Sequence, residues 1–481
     1  MRQHYASPGG SPGGNGTPSN PWDLATALAH PATVKPGDTL WLRGGTYDLD
    51  ATIVCSLTGT AAKPLTVRAR PHESVLLRWS KLDILRALDI RGSYTRYQGF
   101  EMVNTAEGRV FDAGGEADER FRGCALFCQP AGLGVQLVNI HAHDFGFSVF
   151  ESSQSAIEVY GCRFYNSWWE APDRSHGPGL YMRNNPAWPG RKRIENNIVF
   201  QHGRQGLQGF GSQPFANFDV VGNIFFNNGI PGFHRNLFFG SAAGGHGGNV
   251  YEGNCTYFPE AGGAHAFNQF GGDTGAGSLV LENNVIVAEN RVAAGFREPL
   301  EATLRGNLLF GRVQRGPESS PNDTNGAGFR ALYPDNDYYG SDAGVPARPE
   351  GVQVHARLNR FLPDPSERRG VAHVAVYNWA LRGEVAIDLG PLFGGANAHK
   401  EPPLGSLIAV SSAQNPAQTL ALRYDGRPLR VPMSGWTPAP MIGADPATHP
   451  IRKTFPEFGC FYLSWPVWVP RASARGNPVR W

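Results

Sequence analysis

Asn197-Ile-Val-Phe, Asn223-Ile-Phe-Phe, Asn254-Cys-Thr-Tyr, Asn284-Val-Ile-Val and Asn307-Leu-Leu-Phe repeat one pattern, an asparagine followed by a mostly apolar triplet. Asn139-Ile-His-Ala and Gly161-Cys-Arg-Phe extend it upstream. Asn139 and Asn307 lie 168 positions apart over six intervals, a mean period of 28. Short apolar segments at such a period cannot each bury a face alone. Stacked about 4.8 Å apart, they share one core and satisfy their backbones in long parallel sheets. The repeat therefore predicts a parallel β-helix, and the recurrent asparagine predicts a ladder of amides passing from coil to coil. A second strand set falls between the copies, at Gly179-Leu-Tyr-Met-Arg, Gly206-Leu-Gln-Gly-Phe, Asn236-Leu-Phe-Phe-Gly and Ala264-His-Ala-Phe-Asn.

Composition agrees. The 481 residues include 61 Gly and 38 Pro with only 17% charged residues, which suits many short strands joined by tight turns. The 43 basic and 41 acidic residues are too balanced for a nucleic-acid partner, and no apolar run reaches the roughly 18 residues needed to span a bilayer. The stretch from Met1 to Thr17 lacks the basic-then-apolar pattern of a secretory leader. We expect a secreted or periplasmic bacterial protein whose leader has been removed, rather than a cytoplasmic one. Cys162 and Cys255 sit in apolar strand patterns and are expected as buried free thiols, whereas Cys124 and Cys128 could close a small loop disulfide.

The ends differ from the middle. Trp22 to His30 has helical spacing, with Asn20 as the expected cap and Pro21 at the first position, and would plug the N-terminal end. The expected organisation is a β-helix over 1–312, a linker or long loop over 313–350, and an accessory antiparallel β-sandwich over 351–481. The opening residues Tyr5-Ala-Ser-Pro-Gly-Gly, Asn20-Pro-Trp-Asp-Leu-Ala-Thr-Ala-Leu and Val34-Lys-Pro-Gly-Asp-Thr-Leu-Trp-Leu-Arg-Gly-Gly-Thr-Tyr resemble the start of right-handed β-helix proteins of the pectate-lyase-like superfamily. The resemblance covers about residues 5–312 and implies the fold and a carbohydrate ligand. It does not choose among lyases, hydrolases, esterases and binders.

Histidine placement points to where the chemistry is expected. His176, His202, His234 and His265 each precede the next coil's asparagine by 19 to 21 positions, and His141 precedes Gly161 by 20. This predicts a column of histidines on one side of the solenoid, with His246 in a nearby glycine-rich loop and Asn268 following His265. Arg204 and Arg235 flank the column. With Leu180 and Met182 facing inward, Tyr181, Arg183 and Gln208 should face out. Between His176 and Phe270 there are five histidines and six Lys/Arg against four carboxylates, a balance that suits an anionic glycan. β-Elimination on a uronate needs a cation on the carboxylate, a base for the C5 proton and an acid for the leaving oxygen. The expected assignment is Arg204 or Arg235, His202 and Tyr181 in those roles. His176, Arg183, Gln208, His234, His246, His265 and Asn268 would bind substrate, and Trp168 and Trp169 would stack on sugar faces. No tight oxygen-ligand cluster marks a metal site, although calcium could assist through carboxylates. The alternatives are a glycoside hydrolase using Asp144, Glu151, Glu170 or Asp173 in a carboxylate pair, and a non-catalytic carbohydrate-binding β-helix.

Overall fold

The computed structural model describes the chain except residues 1, 113–121, 130–132, 152–155, 184–189, 210–214, 230–234, 241–246, 260–266, 273–274, 298–299, 317–325, 342–343, 363–368, 450 and 468–481. It divides into two compact units, Met1–Gly351 with Pro438–Thr454, and Val352–Thr437 with Phe455–Trp481.

The first unit is a parallel β-helix of three sheets. Sheet I contains eleven strands, from Gln3–Ala6 to Leu300–Arg305, each paired in parallel with its neighbours one coil away. After the first strand, a short turn leads from sheet I to sheet II, which includes His141–His143, Arg163–Tyr165, Ile198–Phe200, Ile224–Phe226 and Cys255–Tyr257. Sheet III follows, with Arg86–Ile90, Cys124–Cys128, Phe147–Glu151, Leu180–Tyr181, Leu207–Gly209, Leu237–Phe239 and Asn268–Phe270. The last coils run straight from sheet II into sheet III through the long strands Val285–Phe296 and Leu308–Arg315.

The I-to-II turn explains the sequence repeat. One residue with positive φ reverses the chain, Asn139, Gly161, Asn196, Gly222, Gly253, Asn283 or Gly306 in turn. Glycine and asparagine tolerate this conformation best. The next residue supplies the ladder. The Oδ1 of Asn223 accepts both the main-chain and the side-chain N–H of Asn197 at 2.9 Å, and the same arrangement joins Asn223 to Asn254, Asn254 to Asn284, and Asn284 to Asn307. Two corrections follow. Asn139 is the reversing residue, not a rung, so Ile140 and Cys162 hold the ladder position in their coils, and Cys162 N–H donates to Asn197 Oδ1 at 2.9 Å. The ladder also continues beyond the expected end, because Asn307 donates to Asn336 Oδ1.

Asp337–Tyr339 therefore adds another strand and Gly326–Leu332 forms a helix, both inside the stretch expected to be a linker. Residues 438–454 also return to the first unit, within the stretch expected to be accessory. The N-terminal helix is shorter than expected, Leu24–Leu28, and its cap is Asp23 rather than Asn20. All six cysteines are buried thiols. Cys124 and Cys128 lie at opposite ends of one extended strand, which rules out the small loop disulfide.

The second unit has a five-stranded antiparallel sheet, ordered Gln353–Leu358, Arg369–Tyr377, Phe458–Pro466, Leu407–Ser412, Asn415–Arg423, and a two-stranded sheet of Glu384–Ile387 with Leu429–Pro432. Val374, Val376, Ile387, Val431 and Phe461 share its core.

Candidate functional site

Alternation along sheet III sets the site. Leu88, Leu126, Val149, Leu180, Leu207 and Leu237 are in register on successive strands and buried in the solenoid core. Their strand neighbours must then face out. That outward row reads Asp89, Phe127, Phe150, Tyr181, Gln208, Phe238, Gln269, again in register. Phe127 and Phe150 stack with centroids 5.1 Å apart, and Phe150 meets Tyr181 edge to face at 5.0 Å. Guanidinium groups lie on these rings. Arg86 stands 3.8 Å from the Phe127 centroid and Arg235 4.6 Å from that of Phe238. Arg183 stands 5.5 and 5.4 Å from Phe150 and Tyr181. Its Nε has no hydrogen-bond partner among the described residues. Arg204 is half-buried where the chain enters sheet III, its main-chain N–H donating to Gly177 O. Tyr181, Arg183 and Gln208 thus occupy the face expected from the sequence, while Arg86, Phe127, Phe150, Phe238 and Gln269 were not anticipated. Strand parity was the signal for them, but the early sheet III strands carry no asparagine marker to fix their register.

Among the described residues, His141, His176 and His202 do not form a column. His141 lies on a sheet II strand and receives hydrogen bonds from Arg163. His176 is in a two-stranded hairpin with Trp169, its ring stacked on that indole at 4.0 Å and its Nε2 3.1 Å from Asp173. Burial, opposed by Asp173, lowers its pKa. His202 is fully buried in the II-to-III turn. Its Nδ1 accepts the Ser167 N–H at 3.3 Å, which puts the proton on Nε2 for donation to Phe164 O at 3.1 Å. The His202 N–H in turn donates to Asn228 Oδ1, and Asn228 Nδ2 to Asn236 Oδ1 at 3.0 Å. His202 is a rung in a second interior ladder, and burial drives its pKa down to about 3. It has no access to a substrate and is not the base. Asn268 is also corrected. It continues the inward leucine register and donates to Ala293 O inside the coil. His234, His246 and His265 lie outside the described residues.

Trp168 and Trp169 are both buried, at 1% and 0% exposure, and offer no free face to a sugar. Trp168 packs against Met441 and the His449 ring, both from the returning segment 438–454. The same segment is held at Arg109, which is itself buried. Arg109 donates to Ile442 O at 2.5 Å, Asn166 O at 2.9 Å, Trp168 O at 2.7 Å and Asp144 Oδ1 at 2.6 Å. Asp144 also accepts the Ile442 N–H and pairs with His143 Nδ1 at 2.8 Å, while His143 Nε2 lies 3.1 Å from Glu101. Burial disfavours a charged His143, but Asp144 and Glu101 outweigh it and raise the pKa to about 9. Burial likewise opposes ionisation of Asp144, yet His143 and Arg109 hold its carboxyl below the usual range. Glu170 is bonded to His449 at 3.2 Å, Asp173 to His176, and Glu151 to Lys192. The carboxylates nominated for hydrolysis each have a basic partner, and Asp144 is locked in a buried network. Among the described residues no group of three or more His, Cys, Asp or Glu side chains is arranged to hold a metal ion.

Residues 4–177 match the family described as Pel9A-like, right handed beta helix region. A stretch of 104 residues is 33% identical to pectate lyase L of Thermoclostridium stercorarium, covering 21% of this chain and 8% of that protein. Among solved structures, pectate lyase Pel9A is 16% identical with a TM-score of 0.45, over 66% of this chain and 79% of that one. A rhamnogalacturonan lyase is 15% identical with a TM-score of 0.49, over 66% and 82%. The GH136 lacto-N-biosidase from Eubacterium ramulus is 13% identical with a TM-score of 0.37, over 66% and 64%. Together with the three parallel sheets and the asparagine ladder, the family match makes the first unit a right-handed parallel β-helix of the pectate-lyase-like kind.

Proposed function

We propose that the chain is a polysaccharide lyase that binds an anionic polysaccharide along the outer face of sheet III and cleaves it by β-elimination. The in-register row from Phe127 to Gln269, with guanidinium groups lying on its rings, carries this reading. The half-buried rings of Tyr181 and Phe238 present a surface suited to sugar C–H groups, and arginine pairs with carboxylate in a planar fork. The half-buried Arg183 and Arg204 neutralise substrate carboxylates, which acidifies the proton α to one of them. Tyr181 supplies the proton to the leaving oxygen. The C5 proton goes to a base other than His202, which is enclosed in the II-to-III turn.

The relatives' names support the substrate class, since two are pectate lyases and one a rhamnogalacturonan lyase. The test is incubation with polygalacturonate, rhamnogalacturonan and alginate, following ultraviolet absorbance of an unsaturated uronate beside a reducing-end assay. Absorbance that rises with reducing ends supports elimination. Reducing ends without absorbance would move the assignment to hydrolysis.

A further inference from the structure

Behind Tyr181 the solenoid wall contains a pair of charges that core packing does not require. Glu151 ends the sheet III strand Phe147–Glu151, and Lys192 begins the sheet I strand Lys192–Glu195. Lys192 Nζ lies 2.8 Å from Glu151 Oε2, with the two side chains 1% and 0% exposed. Both occupy inward positions, Glu151 in register with Cys128 and Ile90, and Lys192 with Phe218. Burial lowers the Lys192 pKa against the pull of Glu151. Desolvating two charges is costly, and well-packed apolar side chains at such positions are often as stable or more so. Stability alone therefore gives no reason for the pair.

Its location does. Glu151 directly follows Phe150 of the outward row, and its Oε2 accepts the main-chain N–H of Arg183 at 3.4 Å. The Arg183 guanidinium lies over Phe150 and Tyr181, with Nε unpartnered among the described residues. We infer that Glu151 and Lys192 are positioning residues for Arg183: the lysine holds the carboxylate in place, and the carboxylate fixes the Arg183 backbone so that its guanidinium meets a substrate carboxylate over the row. The inference rests on reading sheet III as the polyanion site.

A thermodynamic cycle on the full chain tests it, with polygalacturonate as the probe. The neutral pair Glu151→Gln with Lys192→Met is made in the parent and in Arg183→Ala, and each protein is measured for binding by affinity electrophoresis and for KM and kcat. In the parent the pair variant should keep its fold by circular dichroism and weaken binding and KM by about tenfold, the loss of one well-placed charged contact. In Arg183→Ala it should cause no further loss. Equal losses in both backgrounds, or none in the parent, would overturn the inference. If the neutral pair does not fold, Glu151→Asp, which keeps the charge but shortens its reach, should show the same dependence on Arg183. Failure of both to fold would make the pair purely structural and end the inference. Parent protein that neither binds nor cleaves the probe overturns the sheet III reading itself and takes this inference with it, a result visible before any variant is made.

Discussion

Ser167 donates its main-chain N–H to Nδ1 of His202 at 3.3 Å, deep in the II-to-III turn. That bond fixes the neutral tautomer and makes His202 a structural rung. His202→Asn, which can still exchange amide hydrogen bonds with Asn228, should retain most activity. His202→Ala should lower stability by about 1–3 kcal/mol through unsatisfied polar groups. Urea unfolding and a turnover assay check both. Abolished turnover in a fully folded His202→Asn would restore it as the base.

His202 and His143 predict opposite pH limbs. The unfolded chain protonates His202 near its ordinary value of 6.5, while the folded chain resists until about 3. Stability should therefore fall as pH drops below about 6.5 and continue falling toward 3. His143 runs the other way. Its folded pKa of about 9 contributes stability that is complete below 6.5 and is lost as pH rises through 9. Thermal melts across pH should show both limbs, and His143→Gln should flatten only the alkaline one.

Asn223 sits mid-ladder with both neighbours bonded to its side chain, whereas Asn336 is the part-buried last rung. Asn223→Ala strands the Asn197 N–H and the Ile194 carbonyl it caps, and should cost about 3 kcal/mol. Asn336→Ala should cost less than half of that. Equal costs in denaturant titration would contradict a cooperative ladder.

Arg109 joins Asp144 to the returning segment. Arg109→Met leaves a buried carboxylate with fewer partners and should destabilise by about 3–5 kcal/mol. The first site to become protease-sensitive should lie within residues 438–454. Cleavage appearing elsewhere first would show that Arg109 is not the main tether.

These residues also show what was legible in the sequence. The solenoid was readable because the ladder asparagine is chemically distinctive and recurs after each sheet I strand from Lys192–Glu195 onward. The slip at Asn139 arose because asparagine serves equally as the reversing residue and as the rung. The outward placement of Tyr181 and Gln208 followed from strand parity alone. The histidine column failed because spacings were counted through turns of unequal length. His141 lies two positions after Asn139, His202 five after Asn197, and His176 lies in the hairpin that lengthens its coil. Trp168 and Asp144 were misread for another reason. Their partners Met441, Ile442 and His449 are some 270 to 300 residues away, and no local pattern announces a segment that returns from so far along the chain.

Tyr181→Phe on a polyuronate tests the central assignment most directly, because it removes one oxygen from the outward row and leaves the ring against Phe150. With absorbance of the unsaturated product as the readout, kcat should fall by about 10²–10⁴-fold while glycan affinity is kept, the usual range for loss of a proton-transfer group. Undiminished kcat in the Tyr181→Phe protein, or a parent protein that releases no unsaturated product from any uronate polymer, would contradict the account.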